Sequence, residues 1–239
     1  MASRTIENYL KQLWLEQQAV RRGARRGARQ RRARTQYVSM GKLAALVGVT
    51  AGTATTMVKA IADSGLVRYA PRAGVQLTRA GEQLALHVLR RHRLLELFLV
   101  EVLAIDWSDA HGEAEELEHV VSETVLARID QLLGHPVVDP HGDPIPSATG
   151  ALDSPDLCSL AELPDGSVTT IIRLVDQSPE FLRFAHTSGL VPKTKVRIEA
   201  TNPLAQAIAA RPVGRKTVML SMAAAEKFLV RSGPLEKKN

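Results

Sequence analysis

At 239 residues, 45% of them apolar and only 4% aromatic, the chain can bury one large core or two to three small ones, mostly aliphatic. It has no apolar run of about 18 residues, no apolar signal region in MASRTIENYLKQLWLEQQ and a single cysteine, Cys158, which excludes a membrane span, a secretory leader and an internal disulfide and sets a reducing cytoplasm as the expected location. The net charge of +6 has one source: RRGARRGARQRRAR, residues 21–34, holds eight arginines, and taking them from +6 leaves about −2, so overall basicity does not mark the remaining chain as a nucleic-acid binder.

The first element is a helix over residues 5–18, with Ile6, Tyr9, Leu10, Leu13 and Trp14 at helical spacing. The arginine run follows as a loop or a frayed helix, since it offers no apolar face. Ser39 then caps a short helix with Leu43, Ala44 and Val47 inside, Gly48 makes a turn, and Thr50 caps a second helix that runs to about Asp63 and ends at Gly65. LVRYAPRAGVQLT alternates as a hairpin with Pro71 to Gly74 at its tip. Helix, turn, helix and wing, in that order, predict a winged helix-turn-helix DNA-binding unit. Its second helix exposes Thr53, Thr55, Thr56 and Lys59. Small hydroxyls and a lysine suit close approach to base edges and phosphates. Ser39, Thr50 and the hairpin arginines Arg68 and Arg72 complete the candidate DNA contacts.

Residues 79–105 predict a long helix, strongly apolar towards its end, that packs on a helix over 111–133 and on a second subunit. Residues 134–157, rich in Pro, Gly and Asp, predict a linker. SVTTIIRLV, KVRIEA and KTVMLS read as strands, PEFLRFAHTSGL as a helix between the first two, and MAAAEKFLV as the closing segment of a small β module.

The chemistry concentrates in HGEAEELEHV, residues 111–120, with two imidazoles and four carboxylates. At about 100° per residue, Glu115, Glu118 and His119 fall within about 80° of His111 on one side of a helix, whereas Glu113 and Glu116 point elsewhere. His92 and Glu96 share a face of the preceding helix at i, i+4. Such spacing presents several ligands to one divalent ion without bending the backbone. With no thiolate in the stripe, manganese or ferrous iron fits best, and zinc is possible. HExxH is absent, because Val120, Val121 and Ser122 follow Glu118-His119, and no nucleophile elbow, P-loop or GxGxxG is present. No small-molecule substrate is expected. The residues leave open a metal-sensing regulator, a metal-independent winged-helix regulator and a di-metal carboxylate enzyme.

TIENYL, TAGTATTMVKAIADSGLV, LTRAG, RRHRLLELFL, HGEAEELEHVVS and PHGDPIP, in this order, resemble the DtxR/MntR family of metal-dependent transcriptional regulators. The segment from LAELPDGSVTTIIRL to TKVRIEA resembles the SH3-like, FeoA-type domain that many members carry. The resemblance implies a mainly α protein with a small β part: a winged helix-turn-helix over 1–78, a helical dimerisation and metal-binding domain over 79–146, a linker over 147–157 and an SH3-like β-barrel over 158–232. It also implies a cytoplasmic homodimer that binds double-stranded operator DNA when metal-loaded, a manganese-responsive repressor of metal-uptake genes, with iron- or zinc-responsive regulation as the alternative within the family.

The primary site implied is Asn8, Glu115, Glu118 and His119. Glu115 matches the manganese-type members, where iron-type members have a cysteine. Asn8 stands where Asp or Met is usual, and Lys11 stands where members with a closely spaced metal pair have a glutamate, which argues against such a pair. Two styles of second site are implied: His92, Glu96 and His111 completed by Gln177 and Glu180, or Glu96 with Asp139 and His141, where relatives usually have a cysteine at the Asp139 position. The first is the favoured set. Metal binding, through Asn8, would pin the first helix and fix the spacing of two dimer-related recognition helices.

The arginine run is expected to act as an accessory clamp on the DNA backbone, since a Gly-interrupted run lacks the rigid frame needed to read bases. Each phosphate contact contributes about −0.9 to the slope of log affinity against log salt. Replacing residues 21–34 by a short Gly/Ser linker should weaken binding to all DNA and flatten that slope, leaving metal affinity and sequence discrimination unchanged. Equal slopes for the two proteins would remove the clamp.

Overall fold

The structure, a computed structural model, describes residues 3–26, 37–153 and 155–231. The chain divides into two compact units, Met1–Arg91 with Pro146–Ala151 and His92–Ile145 with Leu152–Asn239.

In the first unit, α1 (Arg4–Arg26) buries Tyr9, Leu10, Leu13 and Trp14, the predicted apolar stripe, together with Glu7, Lys11 and Gln17. The helix runs further than its apolar stripe, to Arg26, through arginines and alanine, which are good helix formers. Residues 27–34 of the arginine run lie outside the described residues. Helix α2 (Met40–Leu46) is capped by Ser39, whose hydroxyl accepts from Lys42 N at 3.3 Å, and α3 (Ala51–Asp63) by Thr50, which accepts from Thr53 N at 3.2 Å. The two axes turn by 99° at the intervening break, within the usual helix-turn-helix range. Val58, Ile61, Leu43 and Ala54 bury the inner faces. Strands β1 (Val67–Ala70) and β2 (Gly74–Leu77) pair antiparallel as the wing. No single helix among the described residues is long and apolar enough to cross a membrane.

Helix α4 (Arg79–Glu101) begins in the first unit and ends in the second. In the second unit, α4, α5 (Ala110–Leu117) and α6 (Glu123–Leu132) share a core that includes Leu94, Leu97, Ala114, Leu126 and Ile129. The single helix expected over 111–133 is two helices. Ser122 accepts from Val125 N at 3.3 Å and starts α6 anew, so the chain turns between Glu118 and Val121. This corrects the continuous stripe geometry beyond Leu117.

Beyond the segment 134–156 lies a six-stranded antiparallel sheet in the order β3-β8-β4-β5-β6-β7, formed by β3 (Leu157–Ser159), β4 (Val168–Leu174), β5 (Lys195–Asn202), β6 (Ala207–Pro212), β7 (Val218–Ser221) and β8 (Phe228–Arg231). β5 alternates as a half-buried strand should, with Val196 and Ile198 inside and Lys195 and Arg197 outside. β4 divides its length: Val168–Thr170 pair with β5 and Ile171–Leu174 with β8, across a register shift. Among the described residues no β3–β7 pairing closes the sheet into a barrel. Helix α7 (Pro179–Ser188), with proline in its first turn and Gly189 left-handed at its end, packs Phe181, Leu182 and Ala185 into the sheet core, and the short α8 (Met222–Ala225) leads into β8.

Gly74 fixes how the wing meets the recognition unit. Its φ is +117°, and an added Cβ would collide with the Val38 carbonyl oxygen and lie 2.8 Å from the Val38 carbonyl carbon. Val38 and Val75 exchange backbone hydrogen bonds of 2.8 and 2.9 Å at this point. Gly74→Ala should therefore destabilise the protein by about 1–3 kcal/mol. Gly48→Ala, at φ +70° with nothing within 4 Å of the added atom, should cost only about 1–2 kcal/mol of backbone strain. Urea unfolding of the two variants checks the order, and Gly48→Ala as the more damaging change would contradict the packing argument.

Candidate metal centre

Helical spacing brings His92 and Glu96 together on α4, both buried, with His92 Nε2 3.1 Å from Glu96 Oε1. From α5, His111 Nδ1 lies 2.8 Å from the same Glu96 oxygen and 3.1 Å from His92 Nε2. Where α5 ends, Glu118 is fully buried, its Oε2 2.7 Å from His92 Nδ1 and its Oε1 3.1 Å from His119 Nε2. Glu115 lies at the edge of this run, its side chain 39% exposed and its Oε1 3.7 Å from His111 Nε2. Imidazoles and carboxylates thus alternate from His119 through Glu118, His92 and Glu96 to His111.

The segment after α6 adds a second set of donors. Asp139 Oδ1 accepts the backbone N–H groups of His141 at 2.9 Å and Asp143 at 2.8 Å, an aspartate-stabilised turn. Gly142, at φ +84°, lets this turn lie against β4, because an added Cβ would strike the Ile172 carbonyl oxygen. The turn presents Asp139 and His141 to Glu96. Donor atoms of Glu96, Asp139 and His141 lie within 4.8 Å of one another, as do those of Glu96, His92 and His111. His141 Nε2 lies 3.3 Å from the Trp107 carbonyl, whose acceptance of the Nε2 proton would leave Nδ1 as the lone-pair nitrogen. Nδ1 is buried without a hydrogen-bond partner. A fixed tautomer with one open buried nitrogen fits a metal-ligating histidine. All the donors are nitrogen or oxygen, suited to manganese, ferrous iron or zinc.

Charge compensation differs along the run. Burial pushes the Glu96 carboxyl up, but the His92 charge and the hydrogen bonds from His111 and His92 outweigh it and hold Glu96 well below the usual carboxylate range. Burial, then the neighbouring Asp143 and Glu96 carboxylates, push Asp139 well above that range against the opposing Arg93 guanidinium. Burial lowers His141, with Glu96 and the Trp107 carbonyl opposing. Burial and neighbouring charge thus disfavour the ionised form of Asp139 and the charged form of His141, and a divalent ion there would favour the ionised carboxylate and the neutral imidazole, the forms that ligate.

The sequence treated His92–Glu96–His111 and Glu96–Asp139–His141 as alternatives, whereas the structure joins them at one carboxylate. Gln177 donates its amide to Asp143 Oδ2 at 2.8 Å, and Glu180 is exposed in the first turn of α7, outside both donor groups. In the first unit, Asn8 Oδ1 is buried with no hydrogen-bond partner, an orphaned oxygen of the kind a ligand satisfies. On α3, Thr53, Thr56 and Lys59 are exposed, and Thr50 lies exposed at the cap. The Thr55 and Thr56 hydroxyls donate back to Ala51 O and Gly52 O at 2.7 and 3.2 Å. Ser39, Arg68 and Arg72 are exposed at the α2 cap and the wing. Sequence reasoning missed Arg93, Trp107, Asp143 and Arg173. Only the Asp-Pro pairs flanking His141-Gly142 hinted at Asp143.

These features make a buried nitrogen–oxygen donor cluster, a candidate metal centre, in a chain that also carries a winged helix-turn-helix. A family profile described as iron dependent repressor, metal binding and dimerisation domain matches residues 78–147, and a FeoA domain profile matches residues 158–232. The iron-dependent repressor IdeR of Mycobacterium leprae is 34% identical over 180 residues, covering 70% of this chain and 77% of that protein. A solved manganese-dependent transcriptional repressor in complex with manganese is 37% identical, with a TM-score of 0.79 over 95% of this chain and 99% of that one. The manganese regulator SloR superposes with a TM-score of 0.69 at 26% identity, over 95% of this chain and 98% of that one. The chain belongs to the DtxR/MntR family of metal-dependent transcriptional regulators.

Trp107 offers a direct reporter, since its ring centroid lies 5.4 Å from that of His141 and the chain has only two tryptophans. In a Trp14→Phe background, Mn2+ should change the Trp107 emission, and His141→Ala should remove most of that change. An undiminished response in the His141→Ala protein would remove His141 from the metal centre.

Proposed function

We propose that this protein is a manganese-responsive repressor of metal-uptake genes that binds operator DNA as a cytoplasmic homodimer when divalent metal is bound. The observation that carries the reading is the alternating run His119–Glu118–His92–Glu96–His111, which buries two carboxylates among imidazoles and supplies a donor set without sulfur. Two buried acids facing three histidines are poorly matched to a merely solvated helix face.

On this reading residues 1–78 bind DNA, 79–146 hold metal and dimerise, and 158–232 form the SH3-like, FeoA-type domain. Glu118 and His119, with Glu115 at the exposed edge, form the primary ligand set, and Asn8 is the donor from α1. Glu96 serves the second set, with His92 and His111 on one side and Asp139 and His141 on the other. When bound, the metal would add positive charge beside these carboxylates. Thr53, Thr56 and Lys59 on α3 face the bases and phosphates, with Arg68 and Arg72 on the wing. By linkage, metal strengthens DNA binding only by the factor with which it prefers the DNA-competent arrangement.

Operator binding should require Mn2+ and be lost in chelator. Glu118→Gln and His119→Ala should each lower metal-stimulated binding by at least about 10-fold, the lower end for disturbing a metal's surroundings, while far-ultraviolet circular dichroism stays unchanged. Asn8→Ala should weaken the stimulation, and Glu115→Cys should raise the response to iron or zinc relative to manganese, because a thiolate is the softer ligand. Wild-type metal dependence in both the Glu118 and His119 variants would overturn the site. An unchanged ranking in Glu115→Cys would show that other geometry sets the choice of metal.

A further inference from the structure

Asp143 lies outside both donor groups, yet its carboxylate ties the turn to three side chains from outside it, Arg93, Arg173 and Gln177. It is only 3% exposed. Its Oδ1 lies 3.2 Å from Arg93 Nη2 on α4 and 2.5 Å from Arg173 Nη2 on β4, and its Oδ2 accepts from Gln177 at 2.8 Å. Its backbone N–H donates to Asp139 Oδ1. The same turn is tied to β4 through the backbone: Leu174 N donates to His141 O at 2.9 Å, and Gly142 rests on the Ile172 carbonyl. Arg93 also faces Asp139, with its Nε 3.6 Å from Oδ2, and its Nη1 donates to Pro144 O at 2.5 Å.

We propose that Asp143 is a positioning residue for Asp139 and His141, and that through Arg173 it makes metal occupancy of the Glu96–Asp139–His141 group felt at β4. The proposal rests on the metal reading given above. Glu96, Asp139 and Asp143 are three buried carboxylates facing two guanidinium groups, Arg93 and Arg173. A divalent ion that draws Asp139 towards Glu96 and His141 frees Arg93 to pair with Asp143 alone. The turn is then held more tightly on β4, since Asp143 holds Asp139 by its N–H and Arg173 by its carboxylate. Removing the Asp143 charge leaves the ligands in place but releases the turn that aims two of them.

The test uses the full chain. Mn2+ binding is measured by calorimetry, with the two classes of site assigned by His119→Ala and His141→Ala. Hydrogen exchange is followed over residues 139–144 and 168–174 with and without Mn2+. In the wild type, Mn2+ should slow exchange in both segments. Asp143→Asn should lower affinity for the His141 class by about 10–100-fold, the usual penalty for losing a residue that orients a ligand, and abolish the Mn2+ effect on 168–174, leaving the His119 class unchanged. Arg173→Gln keeps Arg93 on Asp143, so it should retain affinity within about 3-fold, below the usual range for a lost orienting residue, yet lose the effect on 168–174. Wild-type affinity in Asp143→Asn, or wild-type protection of 168–174 in Arg173→Gln, overturns the proposal. Should Asp143→Asn fail to fold, the Arg173→Gln result decides. A wild-type protein that binds only the His119 class overturns this inference alone, and one that binds no Mn2+ overturns the metal reading with it.

Discussion

Removing a carboxylate from water costs several kcal/mol even after the protein relaxes, and that constraint governs the second unit. Glu96, Glu118, Asp139 and Asp143 are each at most 4% exposed. Each must be met by a cation, a hydrogen-bond donor or a proton. Imidazoles meet Glu118 and Glu96, and guanidinium groups meet Asp143. Asp139 is the least well compensated: its nearest guanidinium contact is 3.6 Å, and two carboxylates stand beside it. Incomplete compensation is what makes such a cluster responsive. A divalent ion would complete the charge balance there.

The backbone supports this electrostatic arrangement with few devices. One helical turn of α4 sets His92 against Glu96. The end of α5 places Glu118 at the cap and His119 in the following turn, and from there Glu118 reaches His92. Asp139 folds its own turn by accepting two N–H groups, and Gly142 allows that turn to lie on β4. The Trp107 carbonyl then orients the His141 ring. None of these groups is itself rare. Their effect comes from convergence on Glu96.

A donor set of imidazole and carboxylate does not by itself rank manganese above ferrous iron or zinc, since affinity follows the general order of the divalent metals and selection comes from geometry and ligand type. The relatives reflect that latitude, with an iron-dependent repressor and manganese-dependent repressors both similar to this chain over most of its length. Glu115, at the exposed edge of the run, adds another oxygen rather than a softer thiolate to the donors near His111.

Local rules were enough for much of this protein. Caps at Ser39 and Thr50, the 3.6-residue stripe of α1 and the alternation of β1, β2 and β5 are short-range signals, and they placed the helix-turn-helix, the wing and part of the sheet. The spacing of His92 with Glu96 and of His111 with Glu115 likewise marked donors that share a helix face, whereas Glu118 and His119 lie in the turn beyond α5. β6, Ala-rich and ending in proline, and the short β3 carry little strand signal of their own and exist because β5 and β8 offer partners. Ser122 restarted a helix that periodicity alone carried through. Above all, the sequence presented two rival second sites and no role for Asp143 or Arg93. Only the tertiary structure decided that both sets stand together around Glu96 rather than as rivals and that Gln177 bonds to Asp143, because desolvation and charge balance depend on distances between residues far apart in the chain, which no local pattern encodes.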